Sequence, residues 1–216
     1  MKFFDHDAPF FRVLSLLADV TAISLLWLLT SIPIVTIGAT TSSAFYVITR
    51  RISNMEYQIF TDYFTAFKRN FFKSTIIFLI IALFSLFNFF NMFGIAIPGT
   101  MGTVLFVLQV FLAFELLFVF IHVFPLTARF DMNAKQLIKS AMVMANKHFL
   151  YTLAHVVVLA ALAFLTFLQP VILFFGFGIY CLASSFLMIR LWRKYRPEMD
   201  KNIDLEEEKK SDEETE

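Results

Sequence analysis

Charge is scarce in this chain. Acidic and basic residues make up 16% of its 216 residues while hydrophobic ones reach 59%, and that balance excludes an ordinary soluble domain, in which about a quarter of the residues are charged. Cysteine is scarcer still. Cys181 is alone, so no intrachain disulfide can form, and its apolar surroundings mark it as a small packing residue rather than a redox centre. The chain also lacks a Gly-x-Ser-x-Gly elbow, a phosphate loop, a dinucleotide fingerprint and a compact His-Glu-x-x-His spacing. No catalytic residue, metal or cofactor is therefore expected, and a membrane enzyme acting on lipid or glycan ranks last among the functions considered. The net charge of +1 hides a basic body and an acidic tail, and no nucleic-acid partner is expected.

What the chain has instead is apolar length. Runs of about 20 apolar residues recur, enough for a helix to cross a bilayer, and outer-membrane barrels do not show them. The expected fold is all-α, a polytopic helical membrane protein surrounded by lipid. Between Arg12 and Arg50 there is no basic residue, and Asp19 is the one acid; as helix this interval measures about 57 Å, roughly two crossings. Pro33 removes a helical hydrogen bond and Gly38 permits backbone angles that other residues resist, so the chain is expected to reverse between them, near Thr36. The limbs of this hairpin are residues 14–32 and 39–49. The second is rich in hydroxyls, Thr40, Thr41, Ser42 and Ser43, and its Gly38/Ser42 and Ala39/Ser43 pairs have the spacing that lets helices approach closely. It should be buried against its neighbours. Further spans are expected over 74–93, 104–124 with a stop at Pro125, 149–168 and 171–191. The total is about six transmembrane segments, or five if residues 39–49 do not cross. On the last span Gly178, Cys181 and Ser185 form a small-residue stripe, expected to face Ala154 and Ala161 on its hairpin partner.

Two stretches ahead of spans are amphipathic. In 59–72, Ile59, Phe60, Tyr63, Phe64, Phe67 and Phe71 recur at three- and four-residue intervals beside Lys68 and Arg69. In 134–147, Ala134, Leu137, Ile138, Ala141, Met142 and Ala145 make an apolar stripe flanked by Lys135, Lys139 and Lys147, and Asn133 with Gln136 has the spacing of a capping box. Both are expected at the cytosolic interface, with Phe64, Phe67, Lys68, Arg69, Lys135 and Lys139 meeting lipid headgroups or a partner. Lysine and arginine crowd three places, 50–73, 129–147 and 190 onward, and by the positive-inside rule these three and the carboxyl terminus are cytoplasmic. Residues 1–196 then form the membrane domain and 197–216 an acidic, disordered cytosolic tail. The amino terminus lacks the pattern of a signal peptide, so the first span should persist in the mature protein, preceded by a surface-lying segment at Phe3, Phe4, Asp5 and Asp7.

Ionisable groups inside lipid are costly unless paired, which singles out Asp19, Glu115, His122 and His155 as candidate ligand or proton sites, all in the inner half of the bilayer. Glu115 and His122 are seven residues apart and share a helical face, which allows a common polar site. The commoner fate of such residues is structural pairing with a neighbouring helix.

Leu26-Trp27-Leu28-Leu29, leading to Ser31-Ile-Pro33-Ile-Val-Thr36-Ile-Gly38-Ala39, and then Asp62-Tyr-Phe64-Thr-Ala-Phe67-Lys68-Arg-Asn70-Phe71, resemble the YesL family of bacterial integral membrane proteins, found mainly in Gram-positive bacteria. The likeness extends more loosely to Arg196, and it departs from the family at Ser24, where asparagine is common. The resemblance implies a place in the cytoplasmic (inner) membrane and an accessory role in carbohydrate uptake, with a sugar ABC transporter or another membrane protein as partner. It supplies no activity and no catalytic residues. The expected function is a non-enzymatic accessory or regulator of carbohydrate uptake; the alternative is a self-contained small-solute transporter with a polar site at Asp19 and Glu115.

Overall fold

The computed structural model describes residues 9–53, 55–94 and 98–195. The expected acidic tail and the surface-lying amino-terminal segment lie outside the described residues. Among those described there are seven α-helices and no strand: α1 (Pro9–Thr30), α2 (Ile37–Ile52), α3 (Ile59–Gly94), α4 (Thr100–Arg129), α5 (Ala134–Lys147), α6 (Phe149–Leu168) and α7 (Leu173–Tyr195), with short 3-10 turns at Ile34–Thr36 and Pro170–Ile172. Five helices, α1, α3, α4, α6 and α7, are long and apolar enough to cross a bilayer. The chain is a multi-pass helical membrane protein, and lipid is the solvent for most of its surface.

The reversal after α1 is made by Pro33 and the 3-10 turn, not by Gly38. Thr36 Oγ1 lies 2.6 Å from the carbonyls of both Thr30 and Pro33, so its one proton ties the turn back to the end of α1. Gly38 already sits within α2, and it matters for a different reason. A Cβ there would fall 2.8 Å from Phe78 Cβ, 2.9 Å from Phe124 Cε1 and well inside contact with the Ser74 carbonyl oxygen. Glycine is the residue that lets α2 touch the backbone of α3 and the Phe124 ring of α4.

α2 is enclosed by the other helices, and every residue from Gly38 to Phe45 is buried. Its hydroxyls are spent on neighbours: Ser42 Oγ meets Ser74 Oγ at 3.0 Å, Thr40 Oγ1 meets Ser31 Oγ at 2.9 Å, and Trp27 Nε1 donates to Thr41 Oγ1 at 3.1 Å. Apolar contact between helices brings little gain when the alternative is contact with lipid tails, so close packing and such bonds hold the helices together.

α3 is continuous from the aromatic amphipathic stretch into the span. At 36 residues it is about 54 Å long, well beyond a hydrocarbon core of about 30 Å. Its first turns lie along α2: Tyr63, Ala66, Asn70 and Ser74 are buried while Phe60, Phe64 and Phe72 are exposed. The expected aromatic stripe is thus divided between the bundle, through Tyr63, and the outside. The far halves of α3 and α4 leave the bundle as a two-helix arm, joined by a 3.1 Å bond from Asn88 Nδ2 to the Gln109 carbonyl. Leu83, Phe87, Phe90, Val107, Leu108 and Phe111 on this arm are all exposed.

Two expectations for the second half are corrected. α4 does not stop at Pro125 but runs through it to Arg129; one missing N–H costs a single bond, which tight packing around the buried proline offsets. α5 is capped by Asn133 and Gln136 as the spacing predicts and is amphipathic as expected, with its apolar stripe packed on the bundle. Asn146 Nδ2, at its far end, bonds Glu115 Oε2 at 3.1 Å, so α5 folds back antiparallel along the last turns of α4, burying Leu137, Ala141 and Ala145. Lys135, Lys139 and Lys147 remain exposed on its outer face. The stripe on α7 also has a different partner. Gly178 meets α1: its N–H donates to Ser24 Oγ at 2.7 Å, and a Cβ there would be blocked by the Val20 carbonyl. Small residues mark where a helix is approached, not by which neighbour.

Candidate functional site

The four intramembrane candidates fall into three separate constellations. Asp19, on α1, is held by Arg51 at the end of α2 and by Tyr57 in the following link. Arg51 Nη1 lies 2.8 Å from Asp19 Oδ2, the Tyr57 hydroxyl donates to the same oxygen at 2.6 Å, and Arg51 also contacts the Tyr57 hydroxyl. Burial raises the Tyr57 phenol above its ordinary value, and the hydrogen bond and negative charge of Asp19 raise it further. It stays protonated and donating at neutral pH. Beside this trio Arg50 pairs with Asp62 on α3 at 3.4 Å and donates to the Glu56 carbonyl at 2.6 Å, so the two arginines fasten the 55–58 link over the helix ends.

Glu115 is half-buried on α4 and accepts from Asn146 of α5, which also donates to its own Met142 carbonyl at 3.0 Å. The shared helical face does not bring Glu115 and His122 into one site, since their hydrogen bonds go to different neighbours. Nor do Asp19 and Glu115 share a polar partner among the described contacts.

His122 on α4 and His155 on α6 do come together. Both are buried, with ring centroids 5.7 Å apart. His122 Nδ1 donates to the Phe118 carbonyl at 2.9 Å and His155 Nδ1 to the Tyr151 carbonyl at 2.7 Å. Thr152, one turn before His155, is fully buried; its Oγ1 donates to the Ala145 carbonyl of α5 at 2.9 Å and stands 3.4 Å from His122 Nε2. The α7 main chain at Ser184 acts on the same His155 ring. Ser185 Oγ and His155 Nε2 are buried outside hydrogen-bond distance and angle of a partner, and the buried Ser184 side chain faces the Tyr180 hydroxyl. The buried polar side chains His122, Thr152, His155 and Ser184 thus gather where α4, α5, α6 and α7 meet.

On the surface, Phe64, Lys68, Arg69, Lys135 and Lys139 are exposed and Phe67 is half-buried. Arg69 lies over the Tyr46 ring, 4.9 Å from its centroid. Lys73 pairs at 2.7 Å with Asp131, and this cation holds the exposed carboxyl below its usual range. Among the described residues no group of three or more His, Cys, Asp or Glu side chains is arranged for a metal ion.

Sequence reasoning missed Arg51, Tyr57, Asn146 and Thr152. Only Thr152 left a signal, standing three residues before His155 and so on its face; the others are met through tertiary contact alone. No curated protein and no solved structure matches the chain. Residues 20–92, from α1 through α2 and nearly all of α3, match the family model DUF624, a protein of unknown function, and the Pro33, Thr36 and Gly38 signature lies within the matched segment.

Proposed function

We propose that this chain is a non-enzymatic accessory or regulator of carbohydrate uptake, working in the bacterial inner membrane with its carboxyl terminus in the cytosol. The observation that carries the non-catalytic part is the pairing of the intramembrane acids. Asp19 is consumed by Arg51 and Tyr57, and Glu115 by Asn146, as in helices held together by their polar residues. The link to carbohydrate rests on the resemblance to the YesL family. The exposed Lys68, Arg69, Lys135 and Lys139 suit anionic headgroups or the cytosolic face of a sugar ABC transporter. Mild-detergent capture of the chain from native membranes is expected to bring down a sugar permease subunit. Capture that yields the chain alone at native expression counts against this reading.

A second reading, a self-contained small-solute transporter, is favoured by the cluster of buried polar side chains His155, Ser184 and Ser185 in the bundle interior. Purified chain in sealed liposomes would then move a solute by itself, and the accessory reading expects no such flux.

A further inference from the structure

Charge is divided unevenly along the chain, and the division leaves a basic surface short of counter-ions. Residues 9–195 carry five carboxylates against 13 lysines and arginines. Four of the five are engaged, Asp19 with Arg51, Asp62 with Arg50, Asp131 with Lys73 and Glu115 with Asn146. The fifth, Glu56, lies in the link between α2 and α3. Lys135 and Lys139 of α5 make no ion pair among the described residues.

The exposed face of α5 is cationic at one end and apolar at the other. Lys135 and Lys139 stand one turn apart, and the exposed Met142 and Val143 continue the same face by a further turn. α5 also lies beside the place where the chain leaves the bundle, since Met188 and Ile189, near the end of α7, share one core cluster with Leu137 and Ala141. Past Tyr195 the sequence continues for 21 residues, and 197–216 holds ten acids and three lysines. Glu198 and Asp200 come early enough to meet the cations at Arg190, Arg193, Lys194 and Arg196. The later block, 204–216, holds eight acids against two lysines, a surplus that those terminal cations do not absorb. From Tyr195 to Asp204 an extended chain covers about 30 Å, more than the length of α5, about 21 Å.

We propose that the acidic segment 204–216 docks on the exposed face of α5, with Glu206, Glu207 and Glu208 against Lys135 and Lys139 and Leu205 against Met142 and Val143. Lys139 and Lys135 stand about 5 and 11 Å along the helix from Met142, and residues 206–208, extended, reach about 10 Å past Leu205. One exposed ion pair is weak. Here several carboxylates share two lysines, and the tether makes the contact intramolecular, at an effective concentration on the order of millimolar. The docked segment masks the face from an anionic partner, which must displace it. That consequence rests on the function proposed above, whereas the docking itself needs no partner.

The test uses the full chain, one copy per nanodisc of zwitterionic phosphatidylcholine, with no partner present. A carbodiimide joins carboxylates to amines where they touch, and mass spectrometry locates the amide bonds. Coupling of acids in 204–208 to Lys135 and Lys139 is expected at low salt, stronger than to Lys68. It should be lost at about 1 M salt, where the screening length falls to about 3 Å. Coupling confined to Lys201, Lys209 and Lys210, coupling to Lys68 as strong as to Lys139, or coupling unchanged by salt overturns the proposal. Masking is read from the acylation rate of Lys139 by an amine reagent. Deleting residues 204–216, which leaves the helices untouched, should raise this rate about three-fold, the factor for a face covered about two-thirds of the time; equal rates overturn the proposal. Because no permease is present, these readings stand or fall separately from the capture experiment that tests the carbohydrate role.

Discussion

Replacing Gly38 by alanine adds one methyl group at the point where three helices meet. The Ser74 carbonyl oxygen that this methyl would strike belongs to the backbone of α3 and cannot turn aside, and Phe78 Cβ and Phe124 Cε1 close the other directions at 2.8 and 2.9 Å. α2 must therefore move away from α3, and the 3.0 Å bond between Ser42 and Ser74 stretches with it. Overpacking of this kind costs about 1–3 kcal/mol, and losing an interhelical bond inside a membrane protein costs about 0.6 kcal/mol more. Alanine returns about 1 kcal/mol through its better helix propensity. The net expectation from these terms is a loss of about 0.6–2.6 kcal/mol. Gly176→Ala is the matched control, because a Cβ there comes no nearer than 3.3 Å, to the Ile172 Cγ2 methyl, and meets no backbone; it should be neutral or stabilising by up to about 1 kcal/mol. Reversible unfolding of both variants in mixed micelles measures the difference. Equal stability of Gly38→Ala and the wild type would refute the close approach of α2 to α3.

Asp19→Asn leaves Arg51 facing an amide and should destabilise by about 2 kcal/mol, whereas Asp131→Asn, at an exposed pair, should cost less than about 1 kcal/mol; the same unfolding assay ranks them. Tyr57→Phe reports on alkaline stability. The folded-state phenol is held above its ordinary value by burial and then by Asp19, so its contribution is complete below about pH 10 and is lost as pH rises through the folded value. The wild type should therefore lose stability more steeply than Tyr57→Phe above about pH 10, and parallel curves would contradict the Tyr57–Asp19 bond. Thr36→Val removes the hydroxyl that ties the turn to Thr30 and Pro33 and should lower stability by about 1 kcal/mol, with a larger loss in the double variant Thr36→Val/Ser31→Ala.

Much of the helical scaffold was legible in the sequence because lipid imposes simple demands on it. Apolar length located the five spanning helices, the Asn133/Gln136 spacing located the start of α5, and the hydroxyls of Thr40 to Ser43 announced a helix unfit to face lipid. What could not be read was which surface each helix would meet. Gly38 looked like a hinge because glycine frees the backbone, but its use here is the absence of a side chain against Ser74, a fact of tertiary packing. Gly178 was assigned to α6, its neighbour in sequence, and instead seats α1. Pro125 suggested an end to α4, yet a helix enclosed along its last turns continues past one missing donor. The cationic stretch at 134–147 has the period of an interfacial helix, and nothing in that period says that it folds back along α4. His122 and His155 were each visible as ionisable groups in apolar runs, while their meeting depends on how α4 and α6 cross.

Uptake of a panel of labelled mono- and oligosaccharides by native cells with and without this chain tests the central claim most directly. Deletion is expected to lower the uptake of at least one sugar, and the wild-type chain supplied in trans to restore it. Unchanged uptake of every sugar in the panel would contradict the account.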